Sequence, residues 1–215
     1  MRLHPGEPEA GPWRVAPLDE LVRRLLTAAG PPPDRPAVLG IGGRGSSGKT
    51  TLTARLAAAI PGSAVVHTDD IAWHHSVMGW DGLLAAGVLA PARRGEPVAY
   101  QPPAWDRRGR PGAIEVPAGT RVLLVEGVGV TREALAPLLD ATVWVQSDLA
   151  ERERRDAVRI AAGETSPASY AAWMAEEDPF VLADRAWERA TAIVCGTPEL
   201  PYDPQAEVVL SARSR

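Results

Sequence analysis

Eight consecutive residues, Gly43-Arg44-Gly45-Ser46-Ser47-Gly48-Lys49-Thr50, match the spacing G-x-x-x-x-G-K-[ST] of a phosphate-binding loop. Each residue type has a chemical reason to be there. Glycines let successive backbone N–H groups turn inward around phosphate oxygens, forming a nest for an anion. A helix starting near Lys49 adds the positive end of its dipole. In such a loop the lysine reaches the β- and γ-phosphates and the Thr50 hydroxyl ligates Mg²⁺. The predicted ligands are a nucleotide's phosphates and Mg²⁺, held by the stretch from Gly43 to Thr51. Lys49 is the only lysine among 23 basic residues, and it falls at the position whose chemistry prefers one. An accidental Gly/Ser loop is the alternative, and the flanking sequence argues against it. An apolar run, Ala37–Ile41, leads in, and a helix predicted over Thr50–Ile60 leads out.

The rest of the chain supplies elements that could hold such a loop. Residues 1–15, rich in Pro and Gly, read as a flexible arm before one domain over 16–215. Leu18, Leu21, Val22, Leu25 and Leu26 fall on one face of a helix over Pro17–Ala29, which Gly30 and the following prolines stop. Short apolar strands are predicted at Ala64–His67, Val122–Glu126, Ala141–Val145 and Ala190–Cys195, with Val208–Leu210 as an edge strand. Helices are predicted over 81–90, Thr131–Leu139, Asp148–Ala162 and 167–189. Asp148 with Glu151 three residues on gives a capping-box pattern. Strands alternating with helices predict an α/β fold with a parallel sheet flanked by helices. The Pro-, Trp- and Arg-rich stretch over 91–117 is too long for an ordinary connection and reads as a functional insert.

Composition narrows the class. The 215 residues are 45% hydrophobic and 23% charged, ordinary for a globular protein. A net charge of −4 gives no electrostatic footprint for nucleic acid or an anionic membrane. One cysteine, Cys195, leaves no internal disulfide framework or Cys-rich zinc site, and its apolar neighbours predict a buried structural thiol. No 18-residue apolar run occurs, and the first residues carry no apolar secretory core, so a cytoplasmic protein is expected. The chain has no Asn, which the guanine-reading motif of GTPases requires, and it is too short for a motor module.

In order and spacing, GIGGRGSSGKTTL, VVHTDDIAW, RVLLVEGVGV and SDLAERERRDAVR resemble the uridine kinase and phosphoribulokinase family of P-loop kinases. The similarity extends over roughly residues 35–195 and is greatest to uridine kinase-like proteins of high-GC bacteria. It implies transfer of the γ-phosphoryl group of ATP to a hydroxyl of a small molecule. A uridine- or cytidine-like nucleoside is the first acceptor, with another polyol or a nucleoside-like natural product as the alternative. A nucleotide-binding regulator with little or no kinase activity is the alternative of a different class. A homo-oligomer is compatible with either.

Site residues follow from the resemblance by position. Asp69 falls where the family has its general base and magnesium-shell acid, with Asp70 as runner-up; otherwise the two acids merely open a turn or a helix. Glu126 falls on the strand-terminal acid, implying an indirect Mg²⁺ contact. Arg152 and Arg155 fall in the family's R-x-x-R-D lid, here about 148–165, with Arg159 a turn further along the same face. Guanidinium groups there would neutralise charge as the phosphoryl moves, whereas the plainer reading is a solvated helix of Glu–Arg pairs. Acceptor-side residues are Trp73, His74, Trp80, Asp81, Tyr100, Trp105, Asp106, Arg107 and Arg110. The family's Asp-His-Pro stretch is missing, and arginines stand at the pyrimidine-contacting positions. Core packing is the competing role for the tryptophans.

Overall fold

The computed structural model describes residues 1–30 and 32–212. In chain order the elements are β1 (Trp13–Pro17), α1 (Leu18–Ala29), β2 (Ala37–Gly43), α2 (Lys49–Ala59), β3 (Ser63–His67) and α3 (Thr68–Ala72). A helix over 81–93 follows, made of α4 (Asp81–Leu84), a π turn (Ala85–Leu89) and α5 (Ala90–Arg93). Then come β4 (Val98–Tyr100), α6 (Pro103–Arg108), β5 (Ile114–Val116), β6 (Val122–Glu126) and a 3₁₀ turn (Glu133–Leu138). The chain finishes with β7 (Ala141–Gln146), α7 (Leu149–Ala161), α8 (Pro167–Asp184), a 3₁₀ turn (Ala186–Glu188), β8 (Ala192–Cys195) and β9 (Glu207–Ser211).

Seven strands form one sheet in the order β1-β9-β8-β7-β2-β6-β3. The block from β8 to β3 is parallel, and β9 runs antiparallel to both β8 and β1. Side-chain alternation explains the two faces. On β6, Val122 and Leu124 point to the layer of α1 and α2 with Leu21, Leu25, Leu52 and Leu56. Leu123 and Val125 point to the opposite layer with Trp80, Leu84, Val88 and Trp105. Strand β2 is buried along its whole length because both layers cover it.

The predicted α/β class holds, and three elements differ from the sequence reading. Strand β1 went unrecognised, since five residues ending in Pro carry little period-two signal; as a result β9, expected at the edge, lies between β1 and β8. The helix expected over Thr131–Leu139 is a 3₁₀ turn, with Pro137 inside it unable to donate to an α-helical ladder. The segment before β1, read as a loose arm, packs against the domain: Glu7 and Ala10 are buried, and Gln146 Oε1 accepts the Ala10 N–H.

Candidate active site

Parallel α/β sheets bind ligands at the carboxyl ends of their strands, and three chain ends converge there. Strand β2 ends at Gly43, paired to Val145, and runs straight into the loop. Ile41 of β2 and His67 of β3 both lie opposite Glu126, the last residue of β6. Gly48 sits at φ 97°, a left-handed conformation that only Gly adopts without strain, and it turns the chain into α2.

Side chains hold the loop's backbone, one from within the loop and the others from β7 and α7 or next to them. Arg44 O accepts from Lys49 Nζ at 2.7 Å, and Gly45 O accepts from Arg152 Nε at 2.6 Å. Ser46 O accepts from Arg155 Nη1 at 3.0 Å, and Ser47 O from Ser147 Oγ at 2.7 Å. Four successive carbonyls are therefore fixed before any ligand arrives. Arg44 itself is buried, its Nε donating to Glu7 and its Nη1 to Asp178. Ser47 is buried with the loop, whereas Thr50 and Thr51 open to solvent.

The loop forms one wall of a cleft of about 820 Å³, which Lys49, Thr50, Asp69, Glu126, Arg155 and Trp173 also line. Burial pushes the Lys49 ammonium below its ordinary range, against the pull of Glu126, Glu177 and Asp69. Thr50 Oγ1 donates to Glu126 Oε1 at 3.3 Å, and His67 Nδ1 lies 2.7 Å from the same oxygen. Burial alone would raise the Glu126 carboxyl; the hydrogen bond from His67 and the charge of Lys49 outweigh it and hold the group low. The same hydrogen bond pushes the His67 imidazole up. Gly127 follows Glu126 because a Cβ there would lie 1.6 Å from Thr68 Oγ1, so the start of α3 can approach β6.

Asp69, the second residue of α3, lines both this cleft and a second cavity of about 330 Å³, formed with Trp73, His74, His75, Val77 and Trp173. It keeps a solvent-exposed face, yet surrounding protein desolvates its carboxyl and pushes it above the ordinary range, with Lys49 opposing the shift. Asp70 is engaged elsewhere: Arg110 Nη2 donates to its Oδ1 at 2.6 Å, and Trp105 Nε1 to its carbonyl at 2.9 Å.

Thr50, Glu126 and Asp69 offer hard oxygen donors beside the loop. That set fits Mg²⁺, which takes one or two carboxylates together with substrate phosphates and does not need an all-protein cage. Among the described residues no cluster of three or more His, Cys, Asp or Glu forms a metal site by itself.

Several predicted site residues lie elsewhere. Arg152, expected to face the phosphates, is 2% exposed and turned into the protein, bound to Gly45 O and Glu177. The spacing that put it on one face with Arg155 was correct, but that face packs against the loop from outside. Arg155 lines the cleft together with Arg154 and Arg159, and the latter two also pair with Glu151 and Glu164. On the acceptor side, Trp80 is buried, donates to Val77 O and lies under Arg132, which also binds Asp81. Trp105 is buried beneath the Arg110 guanidinium, 3.7 Å from its ring centroid. Tyr100 packs against Gly87, where any Cβ would come within 2.6 Å of the ring. Asp106 and Arg107 are exposed on α6 and line neither cavity. Only Trp73 and His74 of the acceptor set line the second cavity.

Sequence reading missed Trp173, Glu177, Tyr202 and His67. Tyr202 lines the cleft, and Trp173 lines both cavities. Glu177 is 0% exposed, and the acidic run Glu176-Glu177-Asp178 inside an otherwise apolar helix was the available signal for it.

The fold and the loop together define an α/β protein with a largely parallel sheet flanked by helices and a glycine-rich loop at the carboxyl end of β2. No family model and no curated protein matches the chain. Among solved structures it is similar to a candidate fructose transport system kinase from Silicibacter sp. TM1040. The two are 22% identical, with a TM-score of 0.59 over 80% of this chain and 94% of that one. A possible uridine kinase from Bacillus stearothermophilus gives 18% identity and a TM-score of 0.43, over 81% of this chain and 98% of the other. TT1252 from Thermus thermophilus gives 20% and 0.44, over 77% and 91%. No helix among the described residues is long and apolar enough to cross a membrane.

Proposed function

We propose that this chain is a cytoplasmic kinase that transfers the γ-phosphoryl group of ATP, with Mg²⁺, to a hydroxyl of a small molecule. One observation carries the reading: Asp69 stands where the phosphate-loop cleft meets a second, aromatic-walled cavity. A carboxylate at that junction can take the acceptor's proton as its oxygen attacks. A new O–P bond forms to the γ-phosphorus, the bond to the β–γ bridging oxygen breaks, and ADP leaves with that electron pair. Desolvation supports the role, because a raised carboxyl pKa makes a stronger base. Lys49 exchanges its contact with Arg44 O for phosphate oxygens, and Arg155 faces the same cleft. Thr50 and Glu126, with Asp69 beside them, would hold Mg²⁺, which when bound neutralises phosphate charge.

A nucleoside such as uridine or cytidine is the first acceptor to assay, by the resemblance described above; the fructose-linked neighbour adds sugars to the set. ATP consumption is measured against nucleosides, sugars and vitamins bearing a free hydroxyl. Turnover that needs one acceptor class supports the kinase. Tight Mg-ATP binding with no acceptor-dependent turnover would instead favour a nucleotide-binding regulator.

A further inference from the structure

Helix α8 bears on the phosphate loop in a way the transfer chemistry itself does not use. Glu177 is fully buried, and both of its oxygens accept from the Gly45 N–H, at 2.9 and 3.2 Å. The carbonyl of the same residue accepts from Arg152 Nε, while Arg152 Nη2 reaches Glu177 at 3.3 Å. One residue of the loop is thus gripped at its N–H by α8 and at its C=O by α7. A third partner closes the set: Trp173 Nε1 donates to Glu177 Oε2, and the Trp173 ring lines both the nucleotide cleft and the cavity beside Asp69.

Electrostatics makes this arrangement costly for nucleotide binding alone. A buried carboxylate against a phosphate-binding loop repels the phosphates, and it attracts the Lys49 ammonium that should serve them. Its compensation is geometric. A carboxylate accepts two or more hydrogen bonds in fixed directions and is balanced by Arg152, so it can orient the Gly45 peptide as few neutral groups could. Arg152 Nη1 and Arg44 Nη2, both buried, have no hydrogen-bond partner, so the cluster's anionic groups do not meet its demand for acceptors.

We infer that Glu177 is a positioning residue. It sets the Gly45 peptide for phosphoryl transfer at the expense of ground-state nucleotide affinity, and Trp173 ties that setting to the wall shared by the two cavities. The inference rests on the kinase reading for its effect on turnover, but its effect on the loop can be measured without it.

The experiment compares wild type, Glu177→Gln and Trp173→Phe by three readouts: Mg-ATP affinity, turnover of ATP, and hydrogen exchange of the peptide spanning 43–49. Gln keeps an acceptor and removes the charge; Phe keeps an aromatic ring in place of the indole and removes the N–H donor, and it leaves the Glu177 carboxylate itself intact should Glu177→Gln not fold. Expected for Glu177→Gln is Mg-ATP affinity equal to or tighter than wild type and turnover at least tenfold lower. Exchange of the 43–49 peptide should be several-fold faster, with other peptides unchanged. Trp173→Phe should move exchange and turnover in the same directions by smaller factors. A loss of affinity in step with turnover, or exchange that rises everywhere, would overturn the inference and leave Glu177 a structural ion-pair partner. Unchanged exchange at the loop in both variants would also overturn it. Faster loop exchange in a protein whose wild type turns over no acceptor would support the positioning and count against the kinase reading alone.

Discussion

On the nucleotide side of Asp69, carbonyls from Arg44 to Ser47 are each held by a named side chain, and local spacing alone identifies the loop. Among the residues that the family resemblance assigns to the acceptor, Trp80, Trp105 and Tyr100 are taken up by packing in the apolar layer against β6. The difference lies in what each side asks of the chain. A phosphate loop is backbone geometry, encoded in consecutive residues. The cavity proposed to take the acceptor is assembled from distant ones, Trp73 and His74 after α3 and Trp173 on α8. Local motif therefore predicts the common half of the reaction and says little about the specific half.

The largest effect that could break this contrast is at Lys49. Lys49→Ala should reduce turnover by about a thousandfold or more with the fold retained, because its head group meets a loop carbonyl at the cleft and not the apolar core. Near wild-type turnover, checked beside the circular dichroism spectrum, would remove the loop from the chemistry.

Next come the two arginines expected to act together. Arg152→Ala leaves Glu177 buried without its cation and should cost about 3–5 kcal/mol of stability, read as a large drop in melting temperature. Arg155→Ala touches half-exposed partners and should cost at most about 1 kcal/mol, its main effect falling on turnover. If Arg152→Ala melts like wild type and loses only turnover, the lid reading of that residue returns.

A pH measurement sharpens the reading of the junction. A carboxyl whose pKa is raised on folding binds its proton more tightly in the folded state. Its stability contribution is then present below the unfolded pKa and lost as pH rises through the folded one. Asp69→Asn should melt higher than wild type, with a gap that widens from acid toward neutral pH. Turnover of the wild type should rise across the same window as Asp69 ionises. A gap that is absent, or constant with pH, would mean Asp69 is not desolvated.

The smallest effects belong to the exposed acceptor-side residues. Asp106→Ala and Arg107→Ala should leave stability within about 0.5 kcal/mol and turnover within about twofold. A strong effect on acceptor KM at either would bring the insert back into the acceptor site.

These cases mark what was legible in the sequence. Continuous apolar runs such as Val122–Glu126 gave the parallel strands, since a strand buried on both faces needs nothing but apolar residues. Asp148 gave the start of α7 and does accept from Ala150 and Glu151 N–H, but Glu151 turns to Arg154 and Arg155 and does not close the capping box. Helical spacing placed Arg152 and Arg155 on one side without saying what that side meets. Nor could it reveal that Glu7, 37 positions before Arg44, supplies that arginine's buried counter-charge. Burial and partnership across such separations are properties of the packed chain, which periodicity does not encode.

The central claim is that Asp69 takes the acceptor's proton where the two cavities meet. It is tested most directly by measuring kcat and Mg-ATP affinity for Asp69→Asn beside Asp70→Asn, with an acceptor found by the ATP-consumption screen. An amide of the same shape can hold the hydroxyl but cannot accept its proton. Asp69→Asn should therefore lower kcat by about a hundredfold or more and leave Mg-ATP affinity nearly unchanged. Asp70→Asn, which loses only an ion pair with Arg110, should change kcat by a few-fold at most. An active enzyme indifferent to Asp69→Asn, or one in which Asp70→Asn is the crippling change, would contradict the account.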